Sequence, residues 1–365
     1  MQMKIGRTLQ ELATELDRQQ TTKHDYITPV EKMRAVATVE RGAPIFGIDL
    51  QGTGFFPTTK IANEQLASFT KIPAQYFKRM ETDAPGLLAI NVNRWLEDEG
   101  KAGTRRMART LDGSLRALLS DAFRPMDNFD LANVIIPKMI DLQLMIASCE
   151  VTETRMYIKA YSKHLVDQVP VGARLGEGHT RMDGIAAGLS AYNSEVGKGS
   201  LRFESGLYTF GCTNMAHLGT NIKKYHVGQR AEMSPEIYAM LTSETKRKQD
   251  IALWGSVRDV MTNAFTADGF AANVAKLRAA LADPIAKPLA EVMEVMQERF
   301  GWNETEGASI LDHLSRGGDI SRYGLHSAVT RMSADVESYD RATELERDGG
   351  RIIELSSSEW MAIAA

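Results

Sequence analysis

Cysteine is nearly absent from this sequence: Cys149 and Cys212 are the only two in 365 residues, too few for a disulfide framework or a Cys-rich metal site. Both lie within apolar runs, LMIASCEV and LYTFGCTN, where a cysteine acts as a small buried hydrophobe, a usage that fits a reducing compartment. Long hydrophobic runs are also missing. No stretch approaches the ~20 apolar residues that cross a bilayer, and the longest block, LANVIIPKMIDLQLMIA, is interrupted by Lys, Asp and Pro. The opening MQMKIGRTLQELATELDRQQ is charged every few positions and has no apolar centre of the kind that marks a secretory signal. A cytoplasmic protein without a membrane partner is the expectation.

Catalytic signatures are missing as well. Gly197-Lys198-Gly199-Ser200 looks like a fragment of a phosphate-binding loop, but no glycine stands at the required upstream spacing and no strand leads into a helix there. There is no Gly-x-Gly-x-x-Gly after a strand, no His-Glu-x-x-His and no Cys-x-x-Cys. The histidines, at 24, 164, 179, 217, 226, 313 and 326, lack the spacing that puts two ligands on one ion. Cys212 with Asn214 and His217 holds the residue types of a thiol nucleophile, yet closeness in sequence is not the geometry that chemistry needs. Asp121, Asp127, Asp130, Glu195 and Glu204 are the carboxylates near the expected sheet. Asp127 and Asp130 read as helix-start residues, and Glu195 has no such explanation. No catalytic residue, metal or cofactor is expected, and whether the chain is an enzyme stays open, with the balance against it.

What is present is a patterned, ordinarily charged chain. Its net charge of -4 hides an asymmetry: residues 1–230 carry 29 Lys and Arg against 25 Asp and Glu, and residues 231–365 carry 14 against 22. The middle, 101–230, holds 17 basic and 12 acidic side chains, a mild excess compatible with an anionic partner. Composition shifts suggest three regions, 1–100 (helical and extended), 101–230 (a core of antiparallel strands) and 231–365 (helical).

Hydrophobic spacing predicts a helix over Thr8–Gln19, extended chain through RGAPIFGIDLQGTGFFPTT, and two helices broken at Lys71-Ile72-Pro73. A DNA-reading helix-turn-helix shares that outline, as does any helical hairpin. Strands are expected at Leu142–Val151, Arg155–His164, Gly184–Tyr192 and Ser200–Cys212, with a helix at DLANVIIPKMID and a hairpin connection at Asn193–Gly199. In Arg155–His164, Met156, Ile158 and Ala160 alternate with Tyr157, Lys159 and Tyr161, which predicts one inward face and one aromatic, basic face turned out. Beyond 230, Ser234-Pro235-Glu236 reads as a helix start, and Gly269, Asp283-Pro284 and Gly301 as punctuation. The last blocks read as one helix ended by Gly349-Gly350 and a short terminal helix. The expected fold is α+β: a central antiparallel sheet, a helical N-terminal segment and a largely α-helical C-terminal region.

One constellation suggests function. Arg105, Arg106, Arg109, Arg124, Lys159, Lys198, Arg202, Lys223 and Lys224 are positioned to neutralise phosphates, while Tyr157, Tyr161 and Tyr192 are positioned to stack on unpaired bases, a combination suited to single strands. The same residues read equally as packed tyrosines and bases that solvate a sheet.

Leu115–Asn128 (LRALLSDAFRPMDN), Asn193–Leu201 (NSEVGKGSL), Gly211-Cys212-Thr213-Asn214 and Leu325–Thr330 (LHSAVT) together resemble the phage/plasmid-like protein family, a domain of unknown function. Phe69–Trp95, with Ile72-Pro73, Tyr76 and Asn91-Val92-Asn93, is similar to that family's lead-in. The resemblance spans roughly residues 55 to 340. It brings no catalytic residues. It implies a bacterial phage or mobile-element setting, where DNA is handled in replication or recombination, and a core similar to that of single-strand annealing proteins. The resulting expectation is a DNA-binding accessory protein that holds or anneals single-stranded DNA, as a homo-oligomer in one version of the reading. Its rivals are a metal-dependent nuclease or other enzyme whose carboxylates meet only in the fold, and a non-catalytic phage protein that docks on other proteins.

Overall fold

The computed structural model of the chain describes residues 6–40, 42–98, 101–121, 123, 126–171, 181–210, 214–218 and 243–365. Arg124, Lys223, Lys224, Cys212 and the expected helix start at Ser234 lie outside the described residues. The fold is α+β, with antiparallel sheets and a helical C-terminal region.

Thr8 starts α1 (Leu9–Thr22) through a reciprocal cap. Its hydroxyl accepts from the Glu11 N–H, and the Glu11 carboxylate accepts from the Thr8 N–H, an arrangement worth about 1 kcal/mol. Strands β1 (His24–Pro29), β2 (Met33–Glu40), β3 (Ala43–Leu50) and β4 (Gly54–Pro57) follow, then helices α2 (Lys60–Thr70), α3 (Ala74–Asp83) and α4 (Pro85–Leu96). Lys71 turns left-handed (φ 59°) to end α2, and Pro73 leads into α3. The β2-β3-β4 meander buries Phe46 and Ile48 against Leu66, Phe77, Leu88 and Val92 of these helices. On its open edge, the Asn93 side chain accepts from Ala35 N–H at 2.7 Å and donates to Ala35 C=O at 2.8 Å. One α4 amide thus takes the place of a neighbouring strand.

Hairpin β5 (Arg105–Leu111) and β6 (Ser114–Ser120) turns through Asp112 (φ 52°) and Gly113 (φ 76°), the two positive values a tight two-residue hairpin needs. β1 pairs with β5 to complete a second three-stranded sheet. Ala108, Leu115 and Leu118 of this hairpin share the core of α2–α4, so one hydrophobic cluster crosses residue 100.

The large sheet has the order β11-β10-β9-β8-β7, antiparallel throughout, from β7 (Leu144–Val151), β8 (Met156–Val171), β9 (Arg181–Asn193), β10 (Arg202–Thr209) and β11 (Asn214–Ala216). Ile158, Ala160, Leu189, Ala191 and Phe203 pack on α1, on α5 (Asn128–Asp141) and on α6 (Ser243–Ala264). Six more helices complete the chain: α7 (Ala267–Leu281), α8 (Leu289–Phe300), α9 (Glu304–Gly317), α10 (Arg322–Met332), α11 (Tyr339–Glu354) and α12 (Ser357–Ala364).

Three expectations change here. The tail block is two helices, α10 and α11, and Gly349-Gly350 lies inside α11 instead of ending it. A Cβ on Gly350 would fall 2.0 Å from His217 C=O, so the glycine serves close packing. Gly269 likewise sits in the first turn of α7, whose cap is Thr266. The aromatic, basic face of β8 is also not turned to solvent. The period-2 alternation holds, but α11 lies on that face: Tyr339 packs on Tyr157, and Glu346 pairs with Lys159.

Candidate nucleic-acid interface

Four of the expected binding residues, Arg109, Tyr157, Lys159 and Tyr192, are interior. Lys159 is 3% exposed and donates to Glu346 at 2.5 Å. Tyr157, buried, donates to Asp340, and burial together with that carboxylate holds its phenol well above the ordinary range. Tyr192, also buried, bonds the His217 ring at 3.0 Å, beneath the Arg347 guanidinium at 4.3 Å. His217 stands 3.7 Å from Glu204 and 3.6 Å from Glu346, and Arg347 pairs with Glu204 at 2.8 Å. Arg202, half-buried, belongs to the rim of this network, 3.9 Å from Glu204. These residues fasten α11 to the sheet. Stacking by Tyr157 or Tyr192 and phosphate contact by Lys159 are therefore corrected: Tyr157 and Lys159 spend their polar ends on Asp340 and Glu346, 183 and 187 residues downstream, and Tyr192 spends its own on His217.

Arg109 is corrected in the same way. Two per cent exposed, it donates to Asp25 (2.7 Å), Asp127 (2.9 Å) and Glu195 C=O (2.7 Å). Asp127 precedes α5 but makes no side-chain cap; it pairs with Arg109 and, at 2.6 Å, with Lys23. Glu195, unexplained in sequence, accepts from Asn128 N–H (2.7 Å) and pairs with Arg116. Asn193 bonds Asn128 beside it. Residues from two separated stretches, Leu115–Asn128 and Asn193–Leu201, thus meet at one buried polar hub. Above it opens a cleft of about 350 Å³ lined by Arg18, Arg116, Arg155, Glu15, Asp112 and Glu195, among others. Its charges are largely paired internally, Arg18 with Glu15 and Asp112, and Arg116 with Glu195. Among the described residues no group of three or more His, Cys, Asp or Glu gathers where it could hold a metal ion.

Lys198 reaches Glu64 at 2.6 Å and is 37% exposed. Tyr161 is the one of the three tyrosines that reaches solvent: half-buried, it stacks on Tyr208 at 4.4 Å and meets Phe210 edge-on at 5.5 Å.

Arg105 and Arg106 lead to a different surface. The Arg106 guanidinium stands over the Phe69 ring at 3.8 Å, with Lys101 Nζ over the same ring at 5.7 Å. Burial depresses the Arg106 pKa, Asp121 opposes that only in part, and Nε has no hydrogen-bond partner among the described residues. Lys101 Nζ also donates to Trp95 C=O at 2.8 Å. The Trp95 indole N–H donates to Asn91 Oδ1 at 3.2 Å, and Asn91 Nδ2 donates to Tyr76 Oη at 3.5 Å. Contacts therefore run unbroken from Arg106 through Phe69, Lys101, Trp95 and Asn91 to Tyr76. Trp95 is 46% exposed and Tyr76 41%, with Leu87 and Ile90 of α4 exposed as well. Arg105, Lys78 and Arg94 are exposed in the adjoining positions of β5, α3 and α4.

Trp95, Phe69 and Lys101 were not among the expected binding residues. The signal for Trp95 is an excess of apolar residues in PGLLAINVNRWL: Leu88, Ala89, Val92 and Leu96 fill the inner stripe of α4, and Leu87, Ile90 and Trp95 remain over.

The chain matches no protein-family model, no curated protein and no solved structure. Its own geometry must carry the function.

Proposed function

We propose that the protein binds single-stranded nucleic acid, single-stranded DNA first, through the surface formed by α3, α4 and the start of β5. The observation that carries this reading is the pair of exposed rings, Tyr76 and Trp95, continuous with Phe69 and its two cations. Unpaired bases offer faces for such rings, and stacking contributes about 1–3 kcal/mol per base. Arg105 and Arg106 stand beside them to meet phosphates, whereas Lys101, its side chain 12% exposed, is held by Trp95 C=O and Asp98. A duplex hides its base faces, so the surface favours an unpaired strand. An accessory role in recombination or replication of a phage or mobile element, holding or annealing strands as a homo-oligomer, follows as part of the same proposal.

A mobility-shift series with single-stranded and duplex oligonucleotides, paired with sizing of the free protein, tests it. Single strands are expected to bind more tightly, with log K falling linearly in log salt by roughly 0.7 per phosphate contact. Equal duplex affinity, or no shift at low salt, contradicts the reading. Magnesium-dependent nicking would point to a nuclease, and retention of a protein in place of DNA would point to a docking role for Leu87 and Ile90.

A further inference from the structure

We infer that the outer edge of β1 pairs with β1 of a second copy, antiparallel and centred on Tyr26, and that this contact builds the homo-oligomer; the inference rests on the oligomeric part of the function proposed above. The outer edges of three other strands are occupied from within the chain. Asn93 serves Ala35 on β2; Thr59 N–H and the Gln65 side chain meet Leu115 C=O and Leu118 N–H on β6; Arg7 bridges to Cys149 on β7. At β1 nothing among the described residues takes that place.

The register with β5 fixes which groups are left over. Val30 N–H donates to Thr104 C=O at 2.9 Å, and bonding alternates along an antiparallel pair, so His24, Tyr26 and Thr28 turn their main-chain groups toward Thr110, Ala108 and Arg106. Asp25 and Ile27 turn theirs outward. A second β1 running the opposite way sets Asp25 of each copy against Ile27 of the other, which closes four main-chain hydrogen bonds, with Tyr26 facing its own equivalent on the two-fold axis. Each copy then adds β6-β5-β1 to one six-stranded sheet.

The side chains suit that occupant. Asp25 and Ile27 are exposed, Ile27 by 47%, while the Asp25 carboxylate accepts from Arg109 at 2.7 Å and so comes to the axis neutralised. Devices that blunt an open edge are missing from the middle of β1, which has no lysine and keeps its proline, Pro29, at the end. A free peptide would have to be ordered at a cost comparable to the bonds it gains, whereas a second β1 is already held extended by β5. Arg105 and Arg106 lie opposite Pro29 and Thr28, so the pairing gathers these arginines from both copies into one sheet.

Sedimentation of the full chain across a dilution series tests this, and the wild type is expected to form a dimer. Ile27→Pro removes an N–H that points away from β5, so the variant is expected to keep its fold by circular dichroism and to dimerise about ten to a hundred times more weakly, since two of the four bonds are lost. Tyr26→Cys puts two thiols on the axis, in a pair whose Cα atoms stand about 4.5 Å apart. Mild oxidation is expected to link two such chains and to leave Ile27→Cys, which lies off the axis, unlinked. A wild type that is monomeric at every concentration overturns the inference, as does a dimer that Ile27→Pro leaves unchanged and Tyr26→Cys does not link. A monomer that retains an extended peptide at this edge overturns it too, because the occupant is then another protein. Single-stranded DNA is titrated into the same samples. A monomer that binds it overturns the inference and leaves the nucleic-acid reading standing; a dimer that Tyr26→Cys links but that binds no DNA upholds the inference and overturns that reading.

Discussion

At the scale of single residues, the interior charges set how stability depends on pH. His326 is fully buried and donates from Nδ1 to Gly349 C=O at 2.9 Å; burial holds its pKa down to about 4 against the ordinary 6.5, although the carbonyl pulls the other way. The unfolded chain therefore takes up this proton at higher pH than the folded one. Stability from this group is complete above pH 6.5 and is lost as pH falls toward 4, amounting to roughly 3 kcal/mol at about 1.4 kcal/mol per pH unit. Urea unfolding at pH 7 and pH 4.5 is expected to show that loss, and His326→Asn to lessen it; an equally steep loss in the variant would refute the assignment. Lys159 and Glu346 behave differently. Burial opposes the charge on each, yet each is held charged by the other, with His217 adding to the hold on Glu346, so the lysine pKa is raised and the carboxyl pKa lowered. The lysine's contribution is present below its ordinary 10.5 and lost as pH rises through its raised value. The carboxylate's is present above 4.5 and lost as pH falls through its lowered value. Lys159→Met is expected to cost about 3–5 kcal/mol in urea at pH 7, because it strands a buried carboxylate. A cost near zero would mean that α11 does not depend on the pair.

At the scale of elements, glycine and asparagine decide how helices seat on sheets. Gly350→Ala would raise intrinsic helix propensity in α11, yet its Cβ meets His217 C=O at 2.0 Å. The variant is expected to lower the melting temperature, through a cost of about 1–3 kcal/mol; a higher melting temperature would show that α11 can move away from β11. Local patterns were legible because their causes are local: Thr8 capping α1, Pro73 opening α3, alternation in β8, Gly301 turning left-handed to close α8. The seating of α11 was not legible. Tyr157, Lys159 and Tyr192 look solvent-facing until α11 arrives from the far end of the chain, with Tyr339 and Asp340 on Tyr157, Glu346 on Lys159 and Arg347 on Tyr192. Gly349-Gly350 read as a helix end for the same reason, since the partners that require small residues are Thr330 and His326 against Gly349 and His217 against Gly350. Arg105 and Arg106 were singled out in sequence and do sit beside exposed rings, but those rings belong to α3 and α4 and are not strand tyrosines.

At the scale of the whole molecule, no described helix is long and apolar enough to cross a membrane. The large sheet carries helices on both faces, and among the described residues the exposed aromatic side chains are Phe210, packed on Tyr161, and Tyr76 and Trp95 of α3 and α4. Removing rings from the proposed surface should leave the fold intact, because Tyr76 and Trp95 lie outside the buried core of α2–α4. Removing phenols from the interior should do the reverse. The most direct measurement is fluorescence anisotropy of a labelled single-stranded oligonucleotide, compared across wild type, Tyr76→Ala/Trp95→Ala and Tyr157→Phe/Tyr192→Phe, each checked for its unfolding midpoint. The surface double variant is expected to lose about 2–4 kcal/mol of binding at an unchanged midpoint, and the interior double variant to bind as wild type while unfolding earlier. Undiminished binding by Tyr76→Ala/Trp95→Ala would contradict the proposal that the α3–α4 surface grips the strand.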